Sequence, residues 1–296
     1  MIFRPITLDD KPLFDYYLAC AQHQLITYCF ASLYIWRNWD RLSWAETPGA
    51  LVVKSDLPGE EMFLLPCGES EESTLLATET LISYCAEQGR RFCLGEATAA
   101  DIALYENRWP GRLRSCEYRP GANYIYTRRD LAELPGPRYH AKRNHIRRFM
   151  RLYPDHSFLP LCPELIPGCQ EQLRHWNSQK NSGNSELCQE YPAVLDALAH
   201  WRQLDCQAAV LVVGKRVAAF TIGSPLNDDT YCVHIEKADA NIHGAYQMIN
   251  YCFAREYSRG YSYINRAEDM GRPGLARAKL SYYPCRLEKN FCLFLP

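Results

Sequence analysis

Apolar positions along the chain change period several times, and each change marks an element. Residues 2–6 read as a strand; the helix that follows can be capped by Thr7, with Asp10 at its third position and Pro12 in its first turn. Helical periodicity covers 28–39, strand-like runs cover 51–54 and 62–65, and a long helix covers 73–88 and stops at Gly89. A strand at 92–94, a helix at 98–108 capped by Thr98 and Asp101, and closing strands at 113–118 and 124–127 complete the first half. The second half begins with a strand at 157–161 and amphipathic helices at 165–179 and 186–202. Apolar strands at 208–213 and 216–222 are joined by Gly214-Lys215, a hairpin signal. A strand at 231–236, a helix at 243–259, a strand at 261–265, a short helix at 274–281 and a closing run at 286–295 follow.

Both halves therefore read strand, two helices, a run of strands (two in the first half, three in the second), helix, strand, helix, strands. A recurring order of this kind outranks local propensity as a fold signal. It is the order of a GNAT-type acyltransferase domain. The expected fold is mixed α/β (α+β): two tandem GNAT-like domains with mixed sheets, at residues 1–134 and 154–296, joined by a basic helix at 135–153.

Composition sharpens this picture. With 296 residues, 47% hydrophobic and 23% charged, the chain is an ordinary globular protein with room for two domains. The net charge of −1 hides an asymmetry: residues 1–133 carry 13 Lys/Arg against 19 Asp/Glu, and the remainder carries 20 against 15. An anionic partner would dock on the second half or at the junction. The 14 cysteines form no close pair of the kind a structural zinc site needs, and many sit in apolar runs. Buried free thiols, no metal and a reducing compartment are expected. MIFRPITLDD has no apolar signal region, and no apolar run approaches the ~20 residues of a membrane span. A soluble, cytoplasmic protein is the expectation.

Two segments carry candidate chemistry. Residues 265–283, NRAEDMGRPGLARAKLSYY, set Arg266, Arg272, Arg277 and Lys279 around Asp269, Gly271 and Gly274. Cations, one carboxylate and backbone free to approach closely suit an anionic or strongly polar ligand, although a surface loop leading into a helix would read the same way. The second segment is RYHAKRNHIRRFMRLY at 138–153. No acid occurs from 134 to 154, and Tyr139, Ile146, Phe149, Met150 and Tyr153 fall at helical spacing as an apolar stripe. Lys142, Arg143, Arg147 and Arg151 supply a basic face that fits either salt bridges or RNA phosphates.

The chain resembles, over nearly its whole length, the family of the C-terminal domain of phosphatidylglycerol lysyltransferase, in its soluble and functionally uncharacterised branch. The runs that carry the resemblance are FRPITLDD, FASLYIWR, YIYTRRDLAELPGPRYHAKRNHIRRF, VAAFTIG, VHIEKADANIHGAYQMIN and NRAEDMGRPGLARAKLSYYP. The resemblance implies a tandem GNAT-like fold. For the membrane-bound relatives it implies transfer of lysine from lysyl-tRNA to phosphatidylglycerol. Ala267 and Ala276 stand where the family pattern has Glu and Arg; losing one acid and one base together either preserves local neutrality or marks altered specificity or lost activity.

Acyl transfer needs a positioned ester, a nucleophile relieved of its proton, and donors facing the developing oxyanion. Glu236 and Lys237 end one strand; Asn265, Arg266 and Asp269 follow the next. The expected catalytic residues are Glu236, Asp269 and Lys279, with Lys237, Asn265, Arg266, Gly271, Gly274 and Gly244 binding substrate. Local ion pairs would account for the same charges. The Gly244 turn keeps little of a coenzyme A pyrophosphate loop, and the corresponding GESEE segment at 68–72 would repel phosphate. The first domain thus reads as a degenerate copy. The expected donor is an aminoacyl-tRNA, the expected acceptor a small polar or amine-bearing molecule, and no cofactor is called for. The alternatives are an acyl-CoA-dependent N-acyltransferase and a catalytically silent binding protein.

Overall fold

A computed structural model of the chain describes residues 1–59, 61–180 and 185–296, without the side chains of 179–180 and 185–189. The elements in chain order are β1 (Arg4–Pro5), α1 (Lys11–Ala21), α2 (Phe30–Trp36), β2 (Leu42–Thr47), β3 (Ala50–Ser55), β4 (Met62–Leu64), β5 (Cys67–Gly68), α3 (Glu71–Glu87), β6 (Cys93–Ala97), α4 (Ala99–Arg108) and β7 (Arg114–Glu117). Then come β8 (Asn123–Thr127), α5 (Arg128–Glu133), α6 (His140–Leu152), β9 (Ser157–Pro160), α7 (Ile166–Lys180), α8 (Ser185–His200), β10 (Gln207–Val213), β11 (Arg216–Pro225) and β12 (Thr230–Ala238). The chain ends with α9 (Ala245–Glu256), β13 (Tyr263–Asn265), α10 (Pro273–Leu280), β14 (Arg286–Glu288) and β15 (Phe291–Phe294). Local signals act where the sequence puts them. Thr98 and Asp101 form a reciprocal capping box on α4, and Gly89 ends α3 with φ +62°. Strand β2 and helix α5 are absent from the sequence reading. β2 buries both faces along much of its length, so the alternation that reveals a half-buried strand is lost.

The chain forms two compact units. Unit 1 comprises Met1–Tyr124, Ala267–Arg277 and Arg286–Pro296; unit 2 comprises Ile125–Arg266 and Ala278–Cys285. These differ from the expected division at 134 and 154, for a physical reason. The last strand, β15, hydrogen-bonds β6 on one side and β7 on the other, so the C-terminus completes the sheet of unit 1. Strand β8 pairs with β13 and belongs to the sheet of unit 2. A reading that cuts the chain once cannot represent an exchange of final strands.

In unit 1 the eight-stranded sheet runs β1-β2-β3-β4-β6-β15-β7, with β5 paired to β3 beside this path. Phe14, Leu25, Val52, Leu81 and Leu94 are shut off from solvent in its core. The single parallel step, β4 to β6, is bridged by α3, and its register covers only Phe63↔Leu94 and Leu64↔Gly95. Immediately past it, the Tyr28 hydroxyl accepts the Leu65 N–H at 3.1 Å and donates to the Glu96 carbonyl at 2.9 Å. A buried aromatic ring thus fills the gap where the two strands part.

In unit 2 the sheet runs β8-β13-β12-β11-β10-β9. Gly214 (φ +61°) turns β10 into β11 as the hairpin signal implies. Strands β12 and β13 are parallel but pair only at Thr230↔Tyr263, Tyr231↔Ile264 and Cys232↔Asn265. β12 continues to Ala238 against β11 alone. Its second half therefore stands at an open split in the sheet. Helix α6 belongs to this unit and packs on α9. Its buried stripe is Tyr139, Ile146 and Phe149, whereas Met150 is 42% exposed, one step round the helix from the seam.

Gly244 shows how tight the α6–α9 contact is. It has φ +81°, and a Cβ there would lie 2.8 Å from the His145 carbonyl oxygen and 3.1 Å from the Phe149 Cβ. Gly244→Ala is expected to lower unfolding free energy by on the order of 2–4 kcal/mol, measured by urea titration. A change below ~0.5 kcal/mol would show that the contact can relax. Every cysteine with a described side chain is a free thiol; Cys188 lies outside those side chains. Protein purified without reductant and then denatured should titrate 14 thiols per chain with a thiol reagent.

Candidate active site

The site grows from the split between β12 and β13. Alternation turns Glu236 to one face of β12 and Lys237 to the other. The chain leaves β13 at Arg266, whose Nη2 donates to Glu236 Oε1 at 2.9 Å. Both side chains are 12% exposed. From α9, Asn250 Nδ2 donates to Glu236 Oε2 at 3.1 Å. A carboxylate only accepts, so this bond fixes the amide orientation and leaves Oδ1 as the other end. Neither Asn250 Oδ1 nor Arg266 Nη1 has a hydrogen-bond partner, and both atoms are buried. Each orphan costs about 1–3 kcal/mol of desolvation if nothing meets it. An unmet donor and an unmet acceptor thus flank one buried carboxylate.

Aromatic rings and further cations surround this pair. The Arg266 guanidinium lies 5.1 Å from the Tyr282 ring centroid and 5.8 Å from that of Tyr126. Lys279, 8% exposed, donates to the Arg266 carbonyl at 2.6 Å, and the Tyr126 hydroxyl donates to the Lys279 carbonyl at 2.8 Å. Lys279 therefore holds the turn that aims Arg266. Lys142, from α6, donates to Ser281 Oγ at 2.5 Å and sits 3.9 Å from the Tyr282 centroid. Burial, with the charge of Arg266, holds its amine down to about 8. Burial depresses the Arg266 pKa, but the Glu236 charge, its hydrogen bond and the Tyr126 and Tyr282 side chains together outweigh it, and the net shift is upward. On the opposite face, Lys237 pairs with Glu190 and lies 3.7 Å over the Trp176 ring, whose Nε1 donates to the Tyr246 hydroxyl at 3.1 Å.

The structure brings Glu236, Arg266 and Lys279 together in unit 2 and places the other expected residues differently. Asp269, Gly271 and Gly274 belong to unit 1. The Asp269 carboxylate is 2% exposed; it accepts from the Tyr124 hydroxyl at 2.5 Å and the Gly271 N–H at 2.8 Å, and pairs with Arg119 at 3.1 Å. Burial raises its pKa, but these donors outweigh that and the net shift is downward. This carboxylate holds a loop rather than offering an open acceptor. Gly271 has φ +68°, while Gly274 lies in α10 with nothing near the place of a Cβ. Asn265 is wholly buried inside β13. The Gly244 turn is filled by the α6 backbone, so it offers a pyrophosphate no opening above its Cα. On α6, Arg143 donates to the Leu134 carbonyl and, at 2.7 Å, to that of Gly136, anchoring the loop before the helix. Arg147 and Arg151 are exposed, as is Arg148.

Sequence reasoning missed Asn250, Ser281 and Tyr282, and misplaced Lys142. A signal existed for Lys142. Positions 139, 142, 146, 149 and 153 follow the 3-4-3-4 spacing of a buried stripe, so a lysine occupies an inward position. No comparable signal marks Asn250, which is one polar residue on a largely buried helix face.

The model of the family described as phosphatidylglycerol lysyltransferase, C-terminal, matches residues 20–294. No curated protein sequence matches the chain. The crystal structure of a conserved protein of unknown function from Bacteroides thetaiotaomicron is 34% identical, with 100% of both chains covered and a TM-score of 0.93. The structure of L-PGS from Bacillus licheniformis is 15% identical over 97% of this chain and 92% of its own, with a TM-score of 0.68. FemX is 8% identical over 100% of this chain and 98% of its own, with a TM-score of 0.63, a likeness of fold alone. Among the described residues no helix is long and apolar enough to cross a membrane. With the split sheet and its buried Glu236–Arg266 pair in place, and a family match spanning both units, the chain belongs to the phosphatidylglycerol lysyltransferase C-terminal family.

Proposed function

We propose that the protein is an acyltransferase whose second unit takes an aminoacyl ester, carried by tRNA, and passes the aminoacyl group to a small polar or amine-bearing acceptor. The observation that carries this reading is the pair of orphaned atoms beside Glu236. Arg266 Nη1 can donate to an ester carbonyl and to the oxyanion it becomes; Asn250 Oδ1 can accept from an α-amine. An aminoacyl group offers both complements a few bonds apart. Glu236, its oxygens engaged by Arg266 and Asn250, acts as the anchor that fixes both. Lys279 sets the Arg266 backbone. The family's name supports an aminoacyl donor over acyl-CoA, and the filled Gly244 turn removes the feature that favoured coenzyme A. Arg147, Arg148 and Arg151 give unit 2 an exposed basic face suited to tRNA phosphates.

The test incubates the protein with total tRNA charged with labelled amino acids, plus a small-molecule extract or phosphatidylglycerol vesicles. Label leaving the tRNA ester for a new amide or ester is the expected result. Arg266→Lys keeps a charge but loses the second guanidinium N–H. It should lower transfer on the order of 10²-fold or more, while the thermal midpoint falls by only a few degrees. Unaltered transfer by this variant would remove Arg266 from the chemistry. No transfer by the parent with any donor would favour the silent binding protein, for which Ala267 and Ala276 already speak.

The basic face makes its own prediction. Joint Ala substitution of Arg147, Arg148 and Arg151 should flatten the plot of log affinity for tRNA against log salt by about 2–3 units. A slope unchanged from the parent would place the RNA elsewhere.

A further inference from the structure

Lys142 is the titratable group that this reading leaves unused. It occupies the inward stripe of α6, half-buried, with its Nζ against Ser281 Oγ and the Tyr282 ring. No described carboxylate pairs with it. The charged and titratable groups around it are Arg266 after β13, His145 on its own helix, and Tyr282 after α10; Glu236 and Lys279 stand behind Arg266. Burial holds His145 down, which favours its neutral form, and pushes the Tyr282 phenol up, which keeps it un-ionised. Lys142 and Arg266 share the Tyr282 ring, at 3.9 and 5.1 Å from its centroid. A second full cation there is opposed by the first, and the solvent that would screen them is largely excluded. Arg266 and Asn250 each donate to one oxygen of Glu236, which anchors both side chains.

Resting on the acyl-transfer reading, we propose that the neutral amine of Lys142 is the proton acceptor of the reaction. As the nucleophile's new bond forms to the ester carbonyl carbon, Lys142 Nζ takes the nucleophile's proton. As the ester C–O bond breaks, the resulting ammonium returns that proton to the leaving hydroxyl oxygen. The donor ester and acceptor become a new ester or amide and a free alcohol, with no net change in protons. Ser281 Oγ and the Tyr282 ring are the positioning groups that hold the amine beside Arg266. With the amine held down to about 8, it is partly neutral at physiological pH, and the neutral fraction grows as pH rises.

Lys142→Arg is the decisive variant, since it retains a cation while moving its titration out of range. Transfer from charged total tRNA is followed from pH 6.5 to 9.5, tRNA affinity by filter binding, and folding by thermal midpoint. The parent rate should climb with pH and level off above about 8. The variant should fold, bind charged tRNA within twofold of the parent, transfer at least on the order of 10²-fold more slowly, and lose the limb near 8. Competitive amine labelling read by mass spectrometry should independently show Lys142 titrating near 8. A variant that transfers at the parental rate with the parental profile overturns the Lys142 role and leaves the acyl-transfer reading standing. A variant that loses tRNA binding makes Lys142 a binding residue and overturns the role too. A parent that transfers nothing overturns both. If the variant fails to fold, Lys142→Gln and the labelling arm decide: Lys142 titrating above 10 rejects the proposal.

Discussion

The second unit depends on a parallel pairing that stops early. β12 and β13 share three residue pairs, then β12 runs on for six residues with β11 as its sheet partner. Backbone groups at such a split need partners, and side chains aimed into it are only partly desolvated. That is a place where charge can be buried without being saturated. Breaking a buried pair such as Glu236–Arg266 by removing one partner would cost about 3–5 kcal/mol, because the other charge would be stranded. The pair is thus held by its own electrostatics. It in turn holds Asn250 on one side and shares Tyr282 with Lys142 on the other.

Unit 1 faces the same constraint and answers it with an aromatic plug. β4 and β6 share two residue pairs, and the Tyr28 hydroxyl then satisfies one backbone group from each side of the gap. The Glu96 side chain next to it is half-buried; desolvation pushes its pKa up, while hydrogen bonds, including the one from Thr27, oppose the shift. Glu96 itself sits at φ +57°, an uncommon conformation for a residue with a Cβ. In unit 1, satisfied polar groups fill the place where unit 2 leaves a donor and an acceptor open. The acidic residues Glu69, Glu71 and Glu72 before and within the first turn of α3 add a field hostile to phosphate. Both features separate the two units in charge and in polar satisfaction, which is why the proposed chemistry is placed in the second.

The residues also show why charge alone misleads. Asp269 is the most conspicuous acid in its segment, yet Tyr124, Arg119 and the Gly271 N–H absorb it. Arg143 looks like a phosphate ligand and instead ties down two carbonyls. Lys142 looks like its equal in sequence and is half-buried on the inward stripe, with a lowered pKa. What separates the two neighbours is a rotation of about 100° around α6.

The sequence by itself determined most of the order of elements, with β2 and α5 missed, and their caps and turns. Those are local matters of period, glycine and capping chemistry, and they survive without knowledge of partners. It also singled out Glu236, Arg266 and Lys279, which the fold brings together. Tertiary structure alone decided that the final strands change sheets, because strand pairing is a contact between distant residues. It alone decided which polar atoms are spent and which are open. Asn250 acquires meaning only because β12 places Glu236 opposite its amide, 14 residues away. Lys142 becomes a base candidate only because Tyr282 and Ser281, some 140 residues on, close over it. Solvation and charge at a site are sums over neighbours in space, and the chain does not encode those neighbours in its local pattern.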